Sequence, residues 1–539
     1  MKTAVAVAAP WPYGSPGNLE APPDELTFDV LVGRIARFAR DGLLDMGARI
    51  LWRPWQTDMR PAWDNPGFNV TEVYGPNIIG LAMMFCPASG IGAEEVDFRL
   101  LCWELYSLGS FAGSETGEAE AERQRIKNRW EQLFANTPFG QLSAEHVAQP
   151  VRGIWMAGRV RVNTHQAGVG VTDDVLRVAL LHEAMADLAP DPHRFRQLLD
   201  TYFRNDVFRL LGHGLSLIAW ALEAGPERCP GRFDVHEEDT AQTAVIDFAQ
   251  FGSLACRPGS EFPPIGRELQ ALPEHERKLH PLSDPLSQRP GILLDDWTDR
   301  RAYCYPAPRR LLRSFRRLFI DDFVHFLPQE GGLEPPSLLG QALHRHLAEV
   351  LDGFALVIDD DDCPMKGKKP DAVWCGDRFG VVIEAKARLT PRTDPDCVAP
   401  DSLLVAWRRA WEAVEQADGF LRDPAAKNWI QKRTGRSPCV WVLAILVDER
   451  GVAERTQFRH ATARWQLLSG TRLAGLALMT LECLEAAVRK QTPDTTARQI
   501  ERAWTESGLN ALNQPPEEPD LPSIDQPAYL QRASTLVAR

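Results

Sequence analysis

Asp371, Glu384 and Lys386 have the spacing that puts two carboxylates and an ammonium at one spot. Val381, Val382 and Ile383 are β-branched and lead straight into Glu384, which predicts a buried strand over 380–387. Ala372 to Cys375 predicts a second short strand, and Gly376-Asp377-Arg378-Phe379 between them is a four-residue hairpin loop. Closing that loop pairs Cys375 with Gly380, and counting back pairs Asp371 with Glu384. Directly opposed Cβ atoms sit about 5 Å apart. Residues two apart on a strand share a face, so Lys386 joins the pair. Two carboxylates so close repel unless something cationic sits between them. A hard divalent metal is the natural occupant, since Mg²⁺ is usually held by one or two carboxylates plus substrate phosphate.

Pro370-Asp371 followed by Glu384-Ala385-Lys386 resembles the PD-(D/E)XK nuclease superfamily. The context is similar too: an amphipathic helix is expected at about 401–422, then an apolar strand, CVWVLAILVD, at 439–448. Two further matches resemble the RecB-like branch. One is Gly340-Gln-Ala-Leu-His344 before the first strand. The other is Gln416-Ala-Asp-Gly-Phe420, with Phe where that branch has Tyr. Spacing of i, i+4 puts Gln416 and Phe420 on one helix face, extended by Arg409 and Glu412. The resemblance covers roughly 300–450 and is silent on the first half.

What it implies is an α/β restriction-endonuclease-like core, a mixed central sheet flanked by helices, behind a mainly helical N-terminal domain. Asp371, Glu384 and the Ala385 carbonyl would hold Mg²⁺ or Mn²⁺, with His344 as a further ligand. Glu349 competes for the place of His344, because other members use a helix glutamate there. Lys386 would orient the attacking water or stabilise the pentavalent charge, and Gln416 would position that lysine or the phosphate. The implied reaction is hydrolysis of DNA phosphodiesters, with RNA open as a substrate. A large extra domain fused to such a core is similar to bacterial restriction or antiphage defence proteins. The competing class is a nuclease fold used as a non-catalytic scaffold or nucleic-acid-binding subunit of a larger assembly.

At 539 residues the chain has length for two to four domains, and 44% hydrophobic with 25% charged residues is ordinary for a globular protein. The net charge of −13 argues against nonspecific wrapping of long DNA, not against cleaving it through a local basic patch. The 10 cysteines form no Cys-x-x-Cys pair, so neither a zinc ribbon nor a disulfide scaffold is indicated and a reducing cytoplasm fits. The start is a poor signal peptide, and no run of about 20 apolar residues predicts a membrane span.

Along the chain, 1–24 is a Pro-rich leader, and Phe28, Leu31, Ile35 and Phe38 mark one face of a first helix. Helices are expected at about 94–108, 117–135, 174–188, 193–225 and 239–250, with a strand pair near 153–164. His182-Glu183 lacks the second histidine of a zincin, because Ala186 stands there. Seven prolines between 256 and 290 mark the expected boundary. The expected division is 1–255 mainly helical, 256–298 connector, 299–510 nuclease-like and 511–539 a disordered Pro/acid-rich tail. The N-terminal half offers the surface for a protein partner or a second copy. Basic clusters at Arg309, Arg310, Arg313, Arg316 and Arg317, at Lys427, Lys432, Arg433 and Arg436, and at Lys366, Lys368 and Lys369 are candidate phosphate-tracking surfaces or solvated faces.

Overall fold

Phe379–Ala385 holds a run of seven residues of which the first six are buried, so this strand must be covered on both faces. In a computed structural model of the chain it is the middle strand of a five-stranded mixed sheet. The strands, in spatial order, are β5 (Leu356–Val357), β6 (Ala372–Cys375), β7 (Phe379–Ala385), β8 (Val440–Leu446) and β9 (Leu473–Met479). The β5–β6 and β6–β7 pairs are antiparallel, and β7–β8 and β8–β9 are parallel. The structure describes residues 17–19, 26–56, 66–109, 171–225, 228–236, 243–273, 277, 284–287, 289–294, 300–331, 335–359, 362–386, 400–446, 470–479, 481–505 and 528–538.

The first helices are α1 (Phe28–Ile35), α2 (Arg40–Gln56), α3 (Pro66–Phe85), α4 (Glu95–Gly109), α5 (Val171–Leu188), α6 (Pro192–Phe203), α7 (Val207–Glu223), α8 (Thr243–Ala255) and α9 (Phe262–Ala271). After them come α10 (Pro308–Arg316), α11 (Asp322–Gly331), α12 (Pro335–Leu351), α13 (Pro400–Arg422), α14 (Pro424–Thr434), α15 (Leu481–Lys490), α16 (Pro493–Thr505) and α17 (Ala528–Val537). One face of the five-stranded sheet packs Trp374, Val381, Ile383 and Val442 against Leu347 and Leu351 of α12, Leu484 of α15 and Ile500 of α16. Strand alternation turns Val382 and Glu384 the other way, toward α13, which touches β7 and β8.

A second sheet has the order β1 (Arg232–His236), β4 (Arg300–Cys304), β3 (Gly291–Leu294), β2 (Cys256–Pro258). It draws strands from the expected N-terminal domain, the expected connector and the expected nuclease-like domain. The boundary at 256–298 is therefore corrected: the described residues of this stretch are woven into the N-terminal body. Its prolines serve as helix starts, with Pro263 and Pro264 in the first turn of α9 and Pro285 opening a 3₁₀ turn. Leu286 and Ile292 lie in the same core as α1 to α4. The helices α10 and α11, and the first turns of α12, share a second core with α5 to α8.

Other expectations change in detail. The first helix stops at Ile35 because Phe38 forms a parallel bridge with Ile91, and a side chain at Gly90 would run into the Phe38 backbone. The stretch 193–225 splits where Arg204 takes φ 53 and Asp206 caps α7 from its side chain. The tail is corrected for its last residues: 528–537 is a helix docked on the body. Arg532 of α17 bonds Glu183 of α5 at 3.0 Å and Glu349 of α12 at 3.1 and 3.0 Å. The expected helix at 117–135, the strand pair near 153–164 and most of the leader lie outside the described residues. No helix among the described residues is long and apolar enough to cross a membrane.

Candidate active site at the open end of the β6–β7 hairpin

The hairpin pairs Cys375 with Gly380 and Ala372 with Ile383, so the next step outward opposes Asp371 to Glu384. Its turn is held from outside. The carboxylate of Asp494, at the start of α16, accepts the backbone N–H groups of Asp377, Arg378 and Phe379 at 3.0, 3.1 and 3.0 Å. Those donors pull the Asp494 carboxyl below its ordinary range. Gly376 is required there, since a Cβ would collide with the Asp494 carboxylate.

At the open end the charged side chains meet. Asp371 Oδ2 accepts the Ala385 N–H at 2.6 Å, and the Asp371 N–H donates to the Glu384 carboxylate. Glu384 Oε1 accepts from Lys386 Nζ at 2.7 Å, and Oε2 accepts from Gln416 Nε2 at 3.1 Å. Gln416 also donates to the Lys369 carbonyl, which ties the basic loop to the site. His344 of α12 reaches the pair as well, with Nδ1 3.0 Å from Asp371 Oδ1. The five side chains singled out in the sequence are thus in one place, and the Ala385 backbone lies beside them. Glu349 is elsewhere, paired with Arg532. Phe420, one turn beyond Gln416, is fully buried and stays in the core.

The electrostatics follow from burial. Glu384 is 4% exposed, and desolvation, with the Asp371 charge adding to it, pushes its carboxyl up to about 7 against the pull of Lys386. His344 is held above its ordinary value, chiefly by its bond to Asp371, which outweighs burial. A pair of acids, one buried and one partly exposed, with a histidine beside it is a donor set that suits a hard divalent cation. His344 Nδ1 and Asp371 Oδ1 stand at ordinary hydrogen-bond distance, 3.0 Å. Among the described residues, however, no three His, Cys, Asp or Glu side chains converge as a ready metal cage. Glu384 is turned to Lys386 and Gln416.

The basic clusters divide. Lys366 and Lys368 are exposed on the loop before Pro370, while Lys369 Nζ returns to the Cys363 carbonyl at 3.0 Å. Arg433 pairs with Asp362, and Arg436 donates to the Cys375 carbonyl at 2.6 Å, so both are partly spent on structure. Arg310 pairs with the buried Asp284, and Arg317 lies 4.0 Å from Asp322, so neither tracks solvent as a free stripe. The side chains of Arg309 and Arg313 lie outside the described residues. Sequence reasoning missed Asp494, because nothing near Thr492-Pro493-Asp494 tells that it reaches back to 377–379. No family model, no curated protein and no solved structure matches the chain.

Proposed function

We propose that the chain is a metal-dependent nuclease hydrolysing DNA phosphodiester bonds, built on a restriction-endonuclease-like core. The observation that carries this reading is the opposition of Asp371 and Glu384 in one hairpin, with Lys386 two residues on and 2.7 Å from Glu384. Asp371 and Glu384, with His344 and the Ala385 carbonyl, are the residues that would hold Mg²⁺ or Mn²⁺. Such an ion, when bound, lowers the pKa of a water and polarises the scissile phosphate. Gln416 keeps the Glu384 carboxylate oriented by its bond to Oε2. Lys386 places an ammonium where charge develops on the phosphate, or where the attacking water must be steered. Lys366 and Lys368 offer exposed cations for flanking phosphates. Restriction or antiphage defence is the biological setting that the resemblance suggests.

One observation favours a second reading, a non-catalytic nucleic-acid-binding subunit. Both oxygens of Glu384 already have protein donors. The test is incubation of the purified protein with supercoiled and linear DNA in Mg²⁺ and in chelator. Cleavage in Mg²⁺, its loss in chelator, and its loss in Glu384→Ala and Lys386→Ala with the fold intact are expected. Wild-type rates in both variants would overturn the nuclease reading. DNA retention without cleavage at any metal concentration would favour the second.

A further inference from the structure

His344 stands between two carboxylates. Its Nδ1 lies 3.0 Å from Asp371 Oδ1, and its Nε2 lies 3.5 Å from Asp359 Oδ1. Asp359 follows β5 by two residues and comes from the other end of the loop that leads through Lys366, Lys368 and Lys369 to Asp371. A neutral imidazole has one N–H and one lone pair, and its partners decide which nitrogen carries which. A metal can use only the nitrogen with the lone pair. The contact between Nδ1 and the Asp371 carboxylate asks for a proton on Nδ1, so on its own it favours the wrong tautomer for binding an ion beside Asp371.

We propose that Asp359 is a positioning residue for His344. It accepts the Nε2–H, holds the ring, and leaves the Nδ1 lone pair for a divalent cation shared with Asp371. The inference rests on the nuclease reading above. It supplies what the other residues lack: Lys386 and Gln416 bond Glu384, whereas the carboxylates that flank the imidazole are Asp371 and Asp359. Outer carboxylates on metal-bound histidines are worth about 10–100-fold in metal affinity. Asp359 is 71% exposed at its side chain, so water competes for the N–H and the lower end of that range, about tenfold, is expected.

The experiment titrates Mn²⁺ into the full-length protein, following free Mn²⁺ by electron paramagnetic resonance. Wild type is compared with Asp359→Ala, Asp359→Asn and Asp362→Ala. Side-chain ¹⁵N spectra of the metal-free, histidine-labelled proteins read the His344 tautomer. Asp359→Ala should weaken Mn²⁺ binding about tenfold and move His344 toward the Nδ1–H form. Asp359→Asn keeps an oxygen acceptor and should restore most of the affinity. Asp362→Ala removes a charge from the same loop but touches Arg433, not His344, and should leave affinity unchanged. Equal losses in Asp359→Ala and Asp362→Ala would reduce the effect to net charge and overturn the inference. So would wild-type affinity in Asp359→Ala. A wild type that takes up no Mn²⁺ would overturn the nuclease reading and this inference together, which separates the two failures.

Discussion

Glu384 is a buried acid held beside a second carboxylate. Its carboxyl sits near 7 in the folded chain, well above the ordinary carboxylate range, because it is buried beside Asp371. The raised value means that the protonated form is the comfortable one. Stability contributed by Glu384 is present in full below its unfolded value and is lost as pH rises through about 7. His344, also held above its ordinary value, acts in the same direction. In chelator, the stability of wild type relative to Glu384→Gln should therefore fall between about pH 5 and pH 7 and then level off. Urea unfolding across that range checks it, and a flat difference would sink the assignment of burial. Metal uptake should run the opposite way. Apparent Mn²⁺ affinity should rise with pH, by about tenfold per unit for each proton displaced. At this scale the sequence was legible where counting suffices: four loop residues and a two-residue period bring Asp371 opposite Glu384. Asp359 stood in an acidic run, Asp359–Asp362, and nothing local separates the one that meets His344 from the one that meets Arg433.

Among the elements, the β6–β7 hairpin is fixed at both ends by residues far away in sequence. Asp494 binds three loop N–H groups at one end, and α12 and α13 bring His344 and Gln416 to the other. Asp494→Ala should cost about 1–2 kcal/mol of stability, as loss of a capping carboxylate does. Hydrogen exchange at Asp377, Arg378 and Phe379 should quicken with it, and unchanged protection there would show that water replaces the cap without loss. The strands β7 and β8 were readable because long apolar runs are buried on both faces. Helix ends were less so. Phe38 keeps the helical period of Phe28, Leu31 and Ile35, yet a bridge to Ile91 ends the helix before it. Likewise the prolines of 256–290 look like a linker, because a proline that starts a helix and a proline that forbids one are the same letter until the following turn is known.

On the scale of the whole molecule, a buried ion pair joins the N-terminal body to the helices of the five-stranded sheet. Arg177 of α5 forks onto Glu485 of α15 at 3.1 and 2.7 Å, with both side chains under a tenth exposed. The buried His346 lies 3.9 Å from the same carboxylate, and burial pulls its imidazole down to about 4, so it stays neutral. Arg177→Ala would leave Glu485 buried without its partner and should cost about 3–5 kcal/mol. Replacing both by Met should cost much less, because two apolar side chains need no counter-charge. Denaturant unfolding of the two variants checks the difference, and equal losses would show that packing, not charge, sets it. This joint was invisible in the sequence, since 308 positions separate the partners and each is one charged residue among many.

The helix α12 has Leu338, Leu339 and Ala342 in the core of the N-terminal body and Leu347 and Leu351 in the core of the sheet, with His344 between. The two halves are therefore not cassettes. A cut before α12 leaves one end of that helix greasy and bare to water, and a cut after it parts His344 from Asp371. The helix that carries His344 is thus a beam set in two walls at once, held at one end by the N-terminal core and at the other by the core of the sheet.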